Sequence, residues 1–398
     1  MADLGAFAAI TDAVEAGAGL PEILRGAARA LDASLILIDR SASVLAVAAR
    51  SPADERSLMR DADDVVTIEL KVADASVGQL RLRARSEEWA GSDSALLRLV
   101  TTLIASEVER VRAPARASEE AATSFLRDVL ARRIGDREDL LARGKELGTD
   151  LSGGGAVLVV RAHARAPTED DWRRRLLAVA ARGARSIASG SVIAPTEGGD
   201  GEVVVLVPDQ DGEAGRRVAG AVLRELESGL AGFITRLGRS RRAEDPLDLQ
   251  RAHDEALLAL NVVEGDPERR ELAYEETGTY QLLLPYMRDP AELKRFYRET
   301  VRPLVAYDEQ YDTDLLGTLV AFLDCDANVN ATAARLITHR HTIRYRFERV
   351  RELTGLDVSS TDGREKLSLG LKAMRVLAIA APRGPSSEPG AGGGRVPH

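Results

Sequence analysis

The sequence predicts a multidomain α+β chain whose last third is an all-α region carrying a helix-turn-helix. Three observations point there. At 398 residues the chain is longer than one ordinary core requires, given ~100–200 residues per domain. Short apolar, β-branched runs alternate with amphipathic helical patterns through the first two thirds, and helical patterns dominate from Tyr274 to Ala380. Residues 328–352 read as two short helices with a break between them, the second rich in arginine.

Composition limits the function classes. With 44% hydrophobic and 29% charged residues the chain can bury sizeable cores, which excludes wholesale disorder. A net charge of −9, from 63 acidic and 54 basic residues, argues against nucleic-acid contact over the whole surface, so any DNA contact must be local. The one cysteine, Cys325, excludes a disulfide framework and a Cys-rich zinc site and fits a reducing compartment. It is expected on an apolar helix face, in a core. The N-terminus lacks a basic, then apolar, leader, and no run approaches the ~18–20 apolar residues of a membrane helix, so a cytoplasmic location without a membrane partner is expected. Heavy use of alanine and arginine beside 4% aromatics resembles a high-GC bacterial coding bias.

Residues 1–113 begin with helical patterns at Phe7–Val14 and Leu20–Leu31. Strands are expected at Ser34–Asp39 and Val44–Ala48 across a short polar link, and at Val65–Val72 and Val77–Leu82. After Gly91-Ser92-Asp93 the apolar residues Leu96, Val100, Leu103, Ala105, Val108 and Val111 recur at helical spacing, and Pro114 is expected to end that helix. This order resembles a small GAF-type sensor domain. The resemblance implies either a small-molecule effector site or a dimerisation domain without ligand, with Leu96–Val111 as the seam of a homodimer or higher homo-oligomer.

Residues 114–150 are expected as a helical linker, with helices at Phe125–Leu130 and at Arg137–Leu147, the latter stopped by Gly148. From 151 to 270 the patterns follow a βαββαβα order. The strands are Ala156–Val160, Ser191–Ala194, Val203–Val207 and Ala231–Arg236. The helices follow the capping-box spacing at Thr168–Asp171 and cover Arg216–Glu227 and Leu247–Val262. The turn Glu197-Gly-Gly-Asp-Gly-Glu202 resembles the GGDEF signature of diguanylate cyclases. Their chemistry needs carboxylates that converge on phosphate-bridging metal ions. The first strand, Val157-Leu-Val-Val-Arg161-Ala-His163, has no aspartate for that purpose, and Gly201 shifts the acid out of register. A degenerate GGDEF-like domain is expected, with no catalytic residues, no metal and no cofactor.

From 271 to 380 the informative string runs from Asn328 to Glu352. Asn330 is expected to cap the first helix, where Ala333 and Leu336 share a face. The pattern breaks near Thr338 and His339, and Ile343, Phe347 and Val350 then form an i, i+4, i+7 apolar stripe. His341, Tyr345 and Glu352 lie nearly opposite Ile343 at ~100° per residue, with Arg344 and Arg349 flanking them. From Arg335 to Glu352 there are six arginines and two glutamates, a local charge of +4 in an acidic chain. Arginine pairs in a bidentate manner with guanine O6 and N7 and also meets phosphates, so the composition suits a recognition helix. His339 and His341, if on one helix, would lie ~200° apart and could not share an ion.

The region resembles the PucR-type regulators, which include purine-catabolism and sugar-diacid (CdaR-like) regulators. The resemblance rests on Asp314-Leu-Leu-Gly-Thr-Leu319, Asn330 through Ala333 to Leu336, and His339-Arg340 with Thr342, Tyr345 and Arg346. The lead-in, Tyr280–Leu284, Val301–Leu304 and Tyr307-Asp308, is also similar, as are Leu356-Asp357, Arg364 and Leu367–Leu371. His341 departs from the family's usual asparagine. The resemblance implies binding to double-stranded DNA and transcriptional control, and the residues expected at the DNA are Arg340, His341, Thr342, Arg344, Tyr345, Arg346 and Arg349. Two other readings stay open: a nucleotide-handling enzyme using the central domain, and a scaffold whose arginine helix binds an acidic partner. Residues 381–398, rich in Pro, Gly and Ser, are expected to be a disordered tail.

Overall fold

The computed structural model describes residues 4–16, 18–39, 44–60, 62, 64–73, 75–84, 95–166, 172–196 and 201–379. The residues expected as a disordered tail, the Thr168–Asp171 capping box and Glu197–Asp200 of the glycine-rich turn lie outside them. The chain divides into two compact units, Met1–Gly154 with Arg161–Thr235, and Gly155–Val160 with Arg236–His398.

The first unit opens with α1 (Leu4–Glu15), α2 (Leu20–Ala30), β1 (Ala33–Asp39), β2 (Val44–Ala48), α3 (Pro52–Arg60), β3 (Val66–Val72), β4 (Ala75–Ala84) and α4 (Ala95–Leu130). The strands form an antiparallel sheet in the order β2-β1-β4-β3. Every residue of β1 is buried, so both sheet faces are covered. Leu35, Leu37, Leu80 and Leu82 pack with Ile23, Leu24, Val100, Ile104 and Val108 from the helices. The alternate residues Ile36 and Ile38 meet Leu58 of α3 on the opposite face, as the period of two along a strand requires.

Two features depart from the sequence reading. Helix α3 was not anticipated, because Leu58 is its only buried residue and the helix has no apolar stripe to detect. It is held by long-range bonds: Ser34 Oγ donates to Asp54 Oδ2 at 2.7 Å, and Arg83 pairs with Asp54 at 2.5 Å. The Ser34 hydroxyl above all holds the Asp54 carboxyl below its ordinary pKa. The second departure is at Pro114, where the helix was expected to stop. The backbone stays helical through it to Leu130. An internal proline removes one i to i−4 bond, a cost of roughly 3 kcal/mol. In α4 that loss is set against two buried stretches, Val100–Val108 on the first sheet and Phe125, Leu126 and Val129 further along.

The chain continues through α5 (Arg137–Glu146), β5 (Gly155–Ala164), α6 (Trp172–Ile187), β6 (Val192–Pro195), β7 (Glu202–Pro208), α7 (Ala214–Gly229), β8 (Phe233–Arg239), α8 (Leu249–Val263) and β9 (Glu271–Ala273). Asp136 caps α5 by accepting the Asp139 N–H at 2.9 Å, and Gly148 follows that helix at φ 77°. From β5 to α8 the order is the βαββαβα expected. The sheet runs β6-β7-β5-β8-β9, with β5 and β8 each contributing to both units. The three-residue β9, parallel to β8, is an addition too short to carry a pattern of its own.

The second unit is completed by a 3-10 segment (Tyr274–Met287), α9 (Ala291–Thr300), α10 (Arg302–Tyr311), α11 (Leu315–Asp324), α12 (Val329–Arg335), α13 (Arg340–Thr354) and α14 (Thr361–Val376). One core joins Leu258 of α8 to Tyr274, Leu293, Tyr297, Val301, Leu316 and Met374. A second gathers Leu304, Leu315, Leu319, Phe322, Ala333, Ile343, Phe347, Val350 and Leu367. Helix α14 serves both. Asn261 Nδ2 donates to the Val376 carbonyl at 3.0 Å, and Arg288 pairs with Asp254 at 2.6 Å, so α8 is bonded directly to the helical bundle. Cys325 is half-buried at the C-terminal cap of α11, not on a helix face as expected. Among the described residues no helix is long and apolar enough to cross a membrane.

Candidate nucleic-acid interface

Asp308, buried on α10, accepts the N–H groups of Leu315 and Leu316 at 2.8 and 2.9 Å, and the Thr313 hydroxyl at 2.6 Å. Asp314 accepts the Gly317 N–H at 3.1 Å. Two carboxylates therefore satisfy the orphan donors at the start of α11, with favourable sign at the positive end of the helix. The next helix is capped by Asn328 and not by Asn330. The Asn328 side chain accepts the N–H groups of Asn330 and Ala331 at 2.9 and 3.1 Å. The chain enters through Asp326 and Ala327, both left-handed at φ 51° and 60°, which leaves Asn328 as the last extended residue before the helix.

After α12 the turn closes through two backbone bonds, Ile337 N–H to Ala334 O at 3.2 Å and Thr338 N–H to Ala333 O at 2.9 Å. Ile337 sits at φ 49° and is 95% exposed. Sequence reasoning passed over this residue, since an isolated isoleucine in a break gives no periodic signal. A β-branched residue in the left-handed region is strained by roughly 1–2 kcal/mol.

His339 is the N-cap of α13, its Nδ1 accepting the His341 N–H at 3.3 Å. The two rings stack at 5.0 Å with 25° between their planes. This corrects the expectation that both histidines lie on one helix, far apart in angle. Rings stacked face to face do not converge their nitrogen lone pairs on a shared ion. The stripe of Ile343, Phe347 and Val350 is buried as expected, and Phe347 packs on Phe322 of α11 at 4.5 Å. Gly355, at φ 72°, ends the helix.

The six arginines of this region divide into two groups. Arg335 pairs with Asp324 at 3.1 Å and Arg351 with Asp357 at 3.6 Å. Arg346 is half-buried and donates to Thr318 Oγ1 at 2.6 Å. Arg349, also half-buried, lies 4.7 Å over the Tyr307 ring and pairs with Glu352 at 2.6 Å, and Glu352 first and Tyr307 second raise its pKa. Among the described residues Arg340 and Arg344 make no ion pair or side-chain hydrogen bond, and both are exposed. Exposed beside them are His341 and Tyr345, the latter 67% exposed, with Thr342 half-exposed. The seven residues expected at DNA thus share one helix, but two of them face inward.

In the central domain the acid of the glycine-rich turn is engaged. Arg161 donates to Glu202 Oε2 through Nε at 3.0 Å and Nη2 at 2.6 Å, with both side chains largely buried. Gly201, at φ 81°, has no room for a Cβ, which would overlap Trp172 and the Ala162 carbonyl oxygen.

A short capped helix, a tight turn and a second helix with open arginines on its outer face make a helix-turn-helix. Comparison with known proteins narrows the class. Residues 315–373 match the family described as the PucR C-terminal helix-turn-helix domain, and residues 131–262 match the GGDEF-like domain. The purine catabolism regulatory protein of Bacillus subtilis is 36% identical over 87 residues, 22% of this chain and 16% of that protein. The proline-responsive transcriptional activator PutR of the same organism is 29% identical over 131 residues, 32% of each chain. The carbohydrate diacid regulator of Escherichia coli is 34% identical over 107 residues, 27% of this chain and 26% of that protein. The matched segments span less than a third of each of these relatives. Residues 315–373 are a PucR-type helix-turn-helix domain, preceded by a GGDEF-like domain.

Proposed function

We propose that this chain is a transcriptional regulator that places α13 in the major groove of double-stranded DNA. The observation that carries this reading is the pair of open arginines, Arg340 and Arg344, on the exposed face of the second helix of a helix-turn-helix. A charge left unpaired in the free protein is available for guanine edges or phosphates without first breaking a bond. His341, Thr342 and Tyr345 complete the face. The relatives named above as regulators and activators support the same reading.

The finer parts of the proposal follow from the chain's organisation. Residues 1–113 act as a GAF-like sensor or dimerisation domain, 114–150 as a helical linker, 151–270 as the GGDEF-like domain and 271–380 as the DNA-binding region. A homodimer would offer two recognition helices to half-sites about one helical turn apart, and a small-molecule effector would bias their spacing. The protein works in the cytoplasm. The central domain is not an enzyme, a reading supported by Glu202, whose carboxylate is occupied by Arg161.

The test is selection of duplex DNA by the full chain from random sequence, followed by a gel shift at low salt. A specific shift is expected, and no enrichment of any sequence would sink the proposal. Incubation with GTP and Mg²⁺ or Mn²⁺ checks the enzymatic alternative. Turnover abolished by Asp200→Ala would overturn the non-enzymatic assignment.

A further inference from the structure

We propose that Arg346 and Arg349 do not touch DNA but set the pose of the recognition helix, clasping α13 to the two helices behind it. This rests on the DNA-binding reading above. The first arm is a relay into α11. Thr318 is fully buried, and its hydroxyl donates to the Asp314 carbonyl at 2.6 Å. A hydroxyl has one proton, so with that proton committed its remaining capacity is as an acceptor, and Arg346 Nη1 supplies the donor at 2.6 Å. Asp314 also caps α11, so the relay ends on the capped first turn of that helix. The second arm runs to α10, where the Arg349 guanidinium lies over the Tyr307 ring and is steadied by Glu352.

Three residues apart, Arg346 and Arg349 are neighbours on one side of α13. Between and beside them run Phe347 and Val350, buried in the core. An apolar stripe alone fixes which face of a helix is inward but tolerates small rolls about the axis, because dispersion is not directional. A directed hydrogen bond to α11, seconded by a guanidinium stacked over a ring of α10, tolerates them less. The aim of Arg340 and Arg344 depends on that roll, and bidentate pairing with a guanine edge is sensitive to angle as well as distance. A half-buried guanidinium bonded to a neutral hydroxyl contributes orientation more than stability.

The test uses the full chain, the duplex it selects and a scrambled duplex, across a salt series. For Arg346→Met we expect about 10-fold weaker binding to the selected duplex, the loss of roughly one base-reading contact. Binding to the scrambled duplex and the slope of log K against log salt stay unchanged. Arg344→Ala, the direct-contact control, weakens binding to the selected duplex by about 10-fold or more while leaving the unfolding midpoint nearly unchanged. Thr318→Val reproduces the Arg346→Met profile, the double variant is no worse than either single one, and Thr318→Ser retains wild-type specificity. A slope reduced by ~0.9 in Arg346→Met, or equal losses on both duplexes, would overturn the clasp. If the wild-type chain selects no duplex, the DNA-binding reading fails. The clasp is then judged without DNA, from unfolding midpoints of the two single variants and the double. Non-additive midpoints sustain the Arg346–Thr318 bond, and additive ones refute it.

Discussion

The hairpin of the GGDEF-like domain and helix α13 both carry arginine, yet they use it in opposite ways. On the hairpin side Arg161 is closed upon Glu202 by two hydrogen bonds, with both side chains largely buried. On α13, Arg340 and Arg344 stand open among the described residues. A guanidinium whose donors are satisfied inside the fold serves the fold, and one left to solvent keeps its charge for a partner. The difference separates a closed surface from an open one more sharply than composition does, since both are arginine-bearing.

The comparison can be broken at either end. The largest effect is expected at the closed pair: Arg161→Ala leaves a largely buried carboxylate without its cation and should destabilise the chain by about 3 kcal/mol. Urea unfolding measures this, and a change below ~0.5 kcal/mol, the range of an ordinary surface substitution, would mean the pair is not structural. Next is the open pair. Arg344→Ala should cost ~1–3 kcal/mol in affinity for the selected duplex, with unfolding stability changed by no more than ~0.5 kcal/mol. Loss of stability without loss of affinity would reverse the assignment.

Ile337→Gly sharpens the comparison at a site that is open but apolar. Relief of the left-handed strain outweighs the added chain entropy of glycine, so a gain of up to ~1 kcal/mol in unfolding stability is expected. Thermal or urea unfolding that shows a loss would indicate a hidden contact for the isoleucine. The smallest effect concerns Asp211, lowered from its ordinary 3.8 to about 2, first by the Glu213 backbone N–H and then by Arg217. A depressed carboxylate contributes stability that is present above about pH 4 and is lost as the pH falls toward 2. The wild-type advantage over Asp211→Asn should shrink across that window, followed by unfolding at stepped pH, and a pH-independent difference would contradict the hydrogen-bonded pose.

Much of the fold was legible where the pattern was long. The runs Ser34–Asp39 and Val203–Val207 each yield a strand because a short continuous apolar run suits an element buried on both faces, and the stripe Ile343, Phe347, Val350 yields a helix because its burial repeats at the helical period. The misses fall where a short segment depends on a distant one. Helix α3 exists against Ser34 and Arg83, 20 and 29 residues away from Asp54. The cap of α12 lies two residues earlier than expected because the left-handed pair Asp326 and Ala327 leaves Asn328 as the last extended residue before the helix, and left-handed backbone at non-glycine residues carries little sequence signal.

For the interface itself, the residues alone determined the local charge of +4, which follows from composition, and the inward stripe and outward placement of His341, Arg344 and Tyr345, which follow from 100° per residue on one helix. Only the tertiary structure decided which arginines remain open. Thr318, Tyr307, Asp324 and Asp357 lie on other segments, and each removes one arginine from the set by coming within bonding or stacking distance. Which face a side chain points from is a local property of the helix. Whether it finds a partner there depends on what the rest of the chain brings to it, and that left Arg340 and Arg344 unpaired among the described residues.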